Sequence, residues 1–137
     1  MSVIKVKNDI KAPVTKVWAA YTEPEHIVNW NFASDDWCCP KAETDLRPGG
    51  KYKSRMEAKD GSFGFDFEAV YDEIIPEKRI VYTIADGRKV INNFEEINGE
   101  TKVVTEFESE SQNPEEMQRD GWQAILNNFK DYVENLS

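Results

Sequence analysis

Residues 51–74, KYKSRMEAKDGSFGFDFEAVYDEI, alternate almost residue by residue. Tyr52, Ser54, Met56 and Ala58 fall on one phase, and Lys51, Lys53, Arg55 and Glu57 on the other. After Asp60-Gly61 the alternation resumes with Phe63, Phe65, Phe67, Ala69 and Tyr71. A period of two sends alternate side chains to opposite faces of a strand, so one face is charged and the other largely aromatic. The aromatic face encloses either a solid core or a hollow.

Working outward, three dipeptides of one kind punctuate the chain: Asp60-Gly61, Asp86-Gly87 and Asn98-Gly99. Each suits a tight hairpin turn whose twist matches its strands. Pro76-Glu77 makes a further break, and DLRPGG (45–50) reads as a turn. The strands between these breaks span about 51–58, 63–75, 78–85, 88–97 and 101–110, preceded by a short strand at 41–46. Residues 3–10 form a first strand, with Ile4, Val6, Asn8 and Ile10 on one phase. Residues 31–41, containing Trp37, Cys38, Cys39 and Pro40, read as irregular.

Two short helices follow the first strand. Pro13–Tyr21 carries Val14, Val17, Trp18 and Tyr21 at helical spacing, and Pro24 opens the second, with Thr22 and Glu25 as a weak capping box. Near the C-terminus, Asn113, Pro114 and Glu116 form a helix-start signature. Met117, Trp122, Ile125, Leu126, Phe129, Val133 and Leu136 then define one stripe of a helix of about 20 residues, or ~30 Å. Gly121 inside it implies a bend or a close neighbour. The order is strand, two short helices, six strands, long helix. Consecutive strands on short turns make an antiparallel sheet, so the fold class is α+β, and only the long helix is large enough to cover the inner face.

The 137 residues fit a single domain, 1–137, large enough to bury an ordinary core. A net charge of −9 argues against nucleic acid and anionic membrane surfaces as partners. No segment approaches the ~18 apolar residues of a membrane span, and the N-terminus lacks a signal-peptide shape, so the chain reads as cytoplasmic. Cys38 and Cys39 are adjacent, which offers neither a disulfide framework nor zinc-type spacing, and they read as two semi-buried thiols.

His26 is the sole histidine, with no nucleophile motif beside it, so no catalytic triad is signalled and no metal site or cofactor is expected. Asp66 and Glu68 lie on the solvent phase. The inward positions from 52 to 69 hold no ionisable group apart from Tyr52, which argues against acid/base catalysis. Asn92 shares the phase of Val90 and Phe94 and points inward. It is either bonded to a neighbouring strand or available to orient a ligand, and Ser54 has the same two readings.

Four stretches together resemble one known family: IKAPVTKVWAAYTEPEHIVNW (10–30), DLRPGGKY (45–52), VYDEIIPEKRIVYT (70–83) and the Gly121-Trp122 pair that opens the apolar helical stripe. In this order they are similar to the SRPBCC superfamily of START-like, helix-grip proteins. Within it they resemble the branch related to the C-terminal domain of the activator of Hsp90 ATPase. The resemblance implies a curved antiparallel sheet wrapped around the C-terminal helix, with a cavity between them roofed by the two short helices.

On that frame the expected cavity residues are Trp30, Trp37, Tyr52, Ser54, Met56, Phe65, Phe67, Tyr82, Asn92, Phe94, Trp122, Ile125 and Phe129, with His26 as a polar group at the roof. Such an apolar hollow with a few polar groups suits non-covalent binding of an apolar or amphipathic small molecule. The resemblance also admits a chaperone-interaction module, or an enzyme of the polyketide-cyclase kind using a tyrosine or histidine as acid. The chain is expected to act as a monomer or weak dimer.

Overall fold

A computed structural model describes residues 2–136. Its elements run β1 (Val3–Ile10), α1 (Val14–Thr22), α2 (Pro24–Ile27), β2 (Trp37–Thr44), β3 (Lys51–Ala58), β4 (Gly64–Ile75), β5 (Arg79–Ile84), β6 (Lys89–Ile97), β7 (Glu100–Glu108) and α3 (Glu115–Glu134). The seven strands form one sheet in the order β1-β7-β6-β5-β4-β3-β2, with every neighbouring pair antiparallel. The expected α+β helix-grip architecture is therefore present: a curved sheet, a long C-terminal helix, and two short helices after the first strand.

The hairpins turn where the dipeptides lie. At Asn98-Gly99 both residues have positive φ (54° and 80°), the conformation that a two-residue turn with matching twist requires. The DLRPGG turn docks against β4: the Gly49 N–H donates to the Tyr71 carbonyl (2.7 Å) and the Tyr71 N–H to that of Gly50 (2.9 Å).

Several local expectations are corrected. β2 begins at Trp37 and not near residue 41. It pairs Trp37 with Ala58 and Cys38 with Glu57, slips register, and resumes at Lys41–Arg55. Pro40 falls in that bulge, which is tolerated because β2 is an edge strand and Pro40 owes no ladder donor there. Thr22 does not cap α2. It ends α1, and its hydroxyl donates to the Trp18 carbonyl one turn back (2.8 Å).

Asn113 does not cap α3 either, because its side chain turns to Glu110 and the N-cap residue is Pro114. Gln118 closes that corner instead. Its amide nitrogen donates to the carbonyls of Asn113 (2.8 Å) and Glu110 (3.1 Å), and its Oε1 accepts from the Glu110 N–H (2.9 Å).

α3 buries Leu126, Phe129 and Val133, while Met117 in its first turn is 61% exposed and drops out of the expected stripe. The helix packs closest against β1 and α1. Its polar side chains reach the free backbone edge of β1. Gln123 bonds both the N–H (3.4 Å) and the carbonyl (3.1 Å) of Lys7, Lys130 donates to the Asp9 carbonyl (2.8 Å), and Glu134 accepts from the Lys11 N–H (2.9 Å).

A Cβ at Gly121 would meet no atom within 4 Å beyond its own stretch of helix, so of the two readings the close neighbour is absent. At Gly50 a Cβ would sit 1.9 Å from the Asp45 carbonyl oxygen. The two glycines therefore give opposite predictions. Gly121→Ala should raise unfolding stability by about 1 kcal/mol through helix propensity. Gly50→Ala should lower it by about 1–3 kcal/mol through overpacking. Urea titrations of both variants check this, and a destabilised Gly121→Ala would contradict the open surroundings described.

Candidate functional site

A cavity of about 340 Å³ lies between α3 and the inner face of the sheet. Its position follows from how the helix is placed. α3 leans toward β1, so the inner faces of β3 and β4 at the far side of the sheet have less of it to pack against. Of the expected residues, Trp30, Tyr52, Met56, Phe65, Phe67, Tyr82, Trp122 and Ile125 line this space. Trp122 is held there by stacking on Phe107, with ring centroids 4.1 Å apart and an interplanar angle of 12°.

Phe65 was expected inward and is 42% exposed. The β3–β4 hairpin extends past the end of the β5–β6 turn, so its inner face there meets the solvent, and the cavity reaches the surface beside Phe65.

The remaining expected residues sit elsewhere. Trp37 stands outside the cavity against Phe63 and Phe65 (centroids 5.9 and 6.1 Å), because β2 begins earlier than the sequence suggested. Phe94 packs edge-on to Trp18 (5.3 Å) and Tyr21 (5.4 Å) beneath α1. Phe129 is fully buried against Trp30 (4.7 Å) and Tyr21 (5.4 Å).

Asn92 is fully buried and bonded. Its Oδ1 accepts from the hydroxyls of Tyr21 (2.9 Å) and Thr105 (2.8 Å), and its Nδ2 donates to the Ile80 carbonyl (3.3 Å). These bonds occupy it with positioning Tyr21. His26 is spoken for in another corner, where Nδ1 lies 2.6 Å from the Tyr132 hydroxyl and Nε2 3.8 Å from Glu23. Ser54 is buried between the lining positions Tyr52 and Met56 and opposite Phe67, but does not form the wall.

Seven further residues complete the lining: Val6, Tyr21, Asn31, Arg88, Thr105, Glu110 and Leu126. Thr105 was legible in principle, since it is a polar residue directly across from inward-facing Asn92. Val6 and Leu126 stood on inward phases already identified. Tyr21 and Asn31 depend on how α1 and α2 settle over the sheet. Arg88 and Glu110 lie beside strand ends, and no local pattern marks them.

The electrostatic character of the site is set by phenols. Burial is the largest cause in every case; close tyrosines add to it at Tyr21, Tyr71 and Tyr82, while Ser54 beside Tyr52 works against it. Tyr52 is pushed up to about 12, and Tyr21, Tyr71 and Tyr82 are also raised above the ordinary phenol range. All four stay neutral at physiological pH and act as hydrogen-bonding groups. Two charged groups reach the cavity and are of opposite sign, Arg88 and Glu110. The Arg88 guanidinium is tied to Asp86 (2.8 Å) and to the Glu108 carbonyl (3.2 Å). Among the described residues, no three His, Cys, Asp or Glu side chains converge as a metal site would need. No helix of the described residues is long and apolar enough to cross a membrane. Cys39 is buried, which pushes its thiol up, and Cys38 is half-buried.

Comparison with known proteins agrees with this geometry. A family model described as "Activator of Hsp90 ATPase homolog 1-like protein" matches residues 11–134. Among solved structures, an AHSA1-like protein from Aeromonas hydrophila is 38% identical, with a TM-score of 0.88 over 96% of this chain and 92% of that one. A protein from Cytophaga hutchinsonii is 46% identical, with a TM-score of 0.80 over 97% and 91%. A protein from Chromobacterium violaceum, 24% identical with a TM-score of 0.88 over 99% and 100%, shares the fold. No curated protein matches the chain.

The raised phenols have a consequence for alkaline stability. In the unfolded chain they ionise near pH ~10, whereas in the fold they hold their protons. Stability is thus undiminished below about pH 10 and falls above it, by up to ~1.4 kcal/mol per pH unit for each phenol that only the unfolded state ionises. Phenolate absorbance should rise steeply, together with loss of the circular dichroism signal. Gradual ionisation of all the tyrosines with the fold intact would contradict the buried cluster.

Proposed function

We propose that this chain, which belongs to the activator of Hsp90 ATPase homolog 1-like family, binds an apolar or amphipathic small molecule without covalent chemistry. The observation that carries the reading is the cavity of about 340 Å³ between α3 and the sheet, walled largely by aromatic and aliphatic side chains. That volume lies at the lower end of the ~300–1,000 Å³ common for ligand pockets, which suits a compact ligand. Each 100 Å² of apolar ligand surface removed from water contributes about 2.5 kcal/mol before the entropic cost of binding. Neutral phenols and an amide supply direction, and burial supplies most of the affinity. On this reading the protein works in the cytoplasm, as a monomer or weak dimer.

The family description names an Hsp90 activator, which favours a second reading as a chaperone-interaction module. The two separate cleanly, because a module acting through its outer surface is indifferent to the cavity. Ile125→Trp, which fills the space from α3, should abolish small-molecule binding and leave chaperone capture unchanged.

Freshly purified protein in native mass spectrometry should carry a retained small molecule. A panel of compact apolar probes should raise Tm by roughly 10 °C at a hundredfold excess over Kd. No retained mass and no shift with any probe would remove the ligand-binding reading.

A further inference from the structure

We infer that the cavity has a neutral hydrogen-bonding pole, formed by Tyr52 and Asn31 and backed by Ser54, that takes the carbonyl oxygen of an otherwise apolar ligand. The inference rests on the cavity reading above and names the ligand class.

Tyr52 and Asn31 both line the cavity, and each is 8% exposed. The Tyr52 hydroxyl oxygen accepts only a long bond from the Asn31 amide (3.5 Å), which leaves its proton available as a donor. Beside them, Ser54 is fully buried, and its hydroxyl is the one buried side-chain polar atom without a hydrogen-bond partner among the described residues. An unpaired buried hydroxyl is costly to a folded protein, so it needs an explanation. Ser54 stands on β3 between Tyr52 and Met56 and across from Phe67, three wall residues, which sets its hydroxyl just behind the lining. A ligand oxygen at this pole accepts the Tyr52 proton and lies next to the Asn31 amide, with the Ser54 hydroxyl behind them.

The pole is built from neutral groups. No lysine or arginine belongs to it, and the one cation lining the cavity, Arg88, is neutralised by Asp86 and shares the cavity with Glu110. A carboxylate placed here would lose its hydration with no free cation in return, which is unfavourable. A hydrocarbon would leave the donors unmet. A carbonyl compound avoids both penalties.

Three probes of similar size separate these cases: butylbenzene, 1-phenylbutan-1-one and 4-phenylbutyrate, each titrated by calorimetry against the full-length protein. The ketone should bind about three- to tenfold tighter than the hydrocarbon, the increment of one good hydrogen bond. The carboxylate should bind most weakly. Tyr52→Phe and Ser54→Ala should each narrow the gap between ketone and hydrocarbon. Ser54→Ala also removes an unpaired hydroxyl, so it is expected to fold at least as well as the parent. Tightest binding by the carboxylate, equal binding of ketone and hydrocarbon, or an unchanged gap in both variants would overturn the pole while leaving the cavity reading intact. Failure of all three probes would overturn the cavity reading and the pole together.

Discussion

One helix has to cover one face of a seven-stranded sheet. Six spacings of about 4.8 Å make the sheet roughly 29 Å wide, whereas a helix with its side chains is about 10–12 Å across. Curling of the sheet closes much of that difference, and α1 and α2 close more. The rest is settled by where α3 lies. Phe129 and Val133 are fully buried, and the polar flank of the helix is bonded along β1, which draws it to that side. The far strands, β3 and β4, are left with large aromatic side chains that have only each other and the edge of the helix to meet.

That asymmetry divides the inward-facing side chains into two populations. Near β1, β6 and β7 they make a dense core, with Ile4, Val90, Val103 and Phe107 essentially inaccessible. Near β3 and β4, Tyr52, Phe67 and Tyr82 contact one another edge-to-face at 5.7–6.2 Å and border open space. Between the two lies Asn92, whose amide bonds tie Tyr21 of α1 to Thr105 of β7. Replacing it with an apolar residue would leave two buried hydroxyls unmet, so this amide works as a structural pin that fixes the wall and not as part of the wall.

The architecture was legible because its signals are local. The alternation in 51–74, the hairpin dipeptides and the apolar stripe of the last helix each depend on neighbouring residues only, and the element order followed. The site was legible in part. Which phase of β3 faces inward can be read from Tyr52, Ser54 and Met56. Whether Phe94 or Phe67 borders a void depends on the lateral placement of α3, which no strand encodes by itself. Phe65 misled because alternation reports the face and not whether anything covers it. Arg88 and Glu110 were missed because they enter the cavity from strand ends, where periodicity stops.

The bonds from α3 to β1 also bear on how the protein behaves when crowded. A sheet with two bare rims is a template onto which further strands can add, and fibres can grow from it. Here Gln123, Lys130 and Glu134 occupy main-chain groups along one rim, and the Pro40 kink interrupts the other. The same helix that leaves a hollow on one side thus seals the opposite margin against runaway polymerisation, so an aromatic-rich chain can keep an unfilled interior without inviting cross-β stacking.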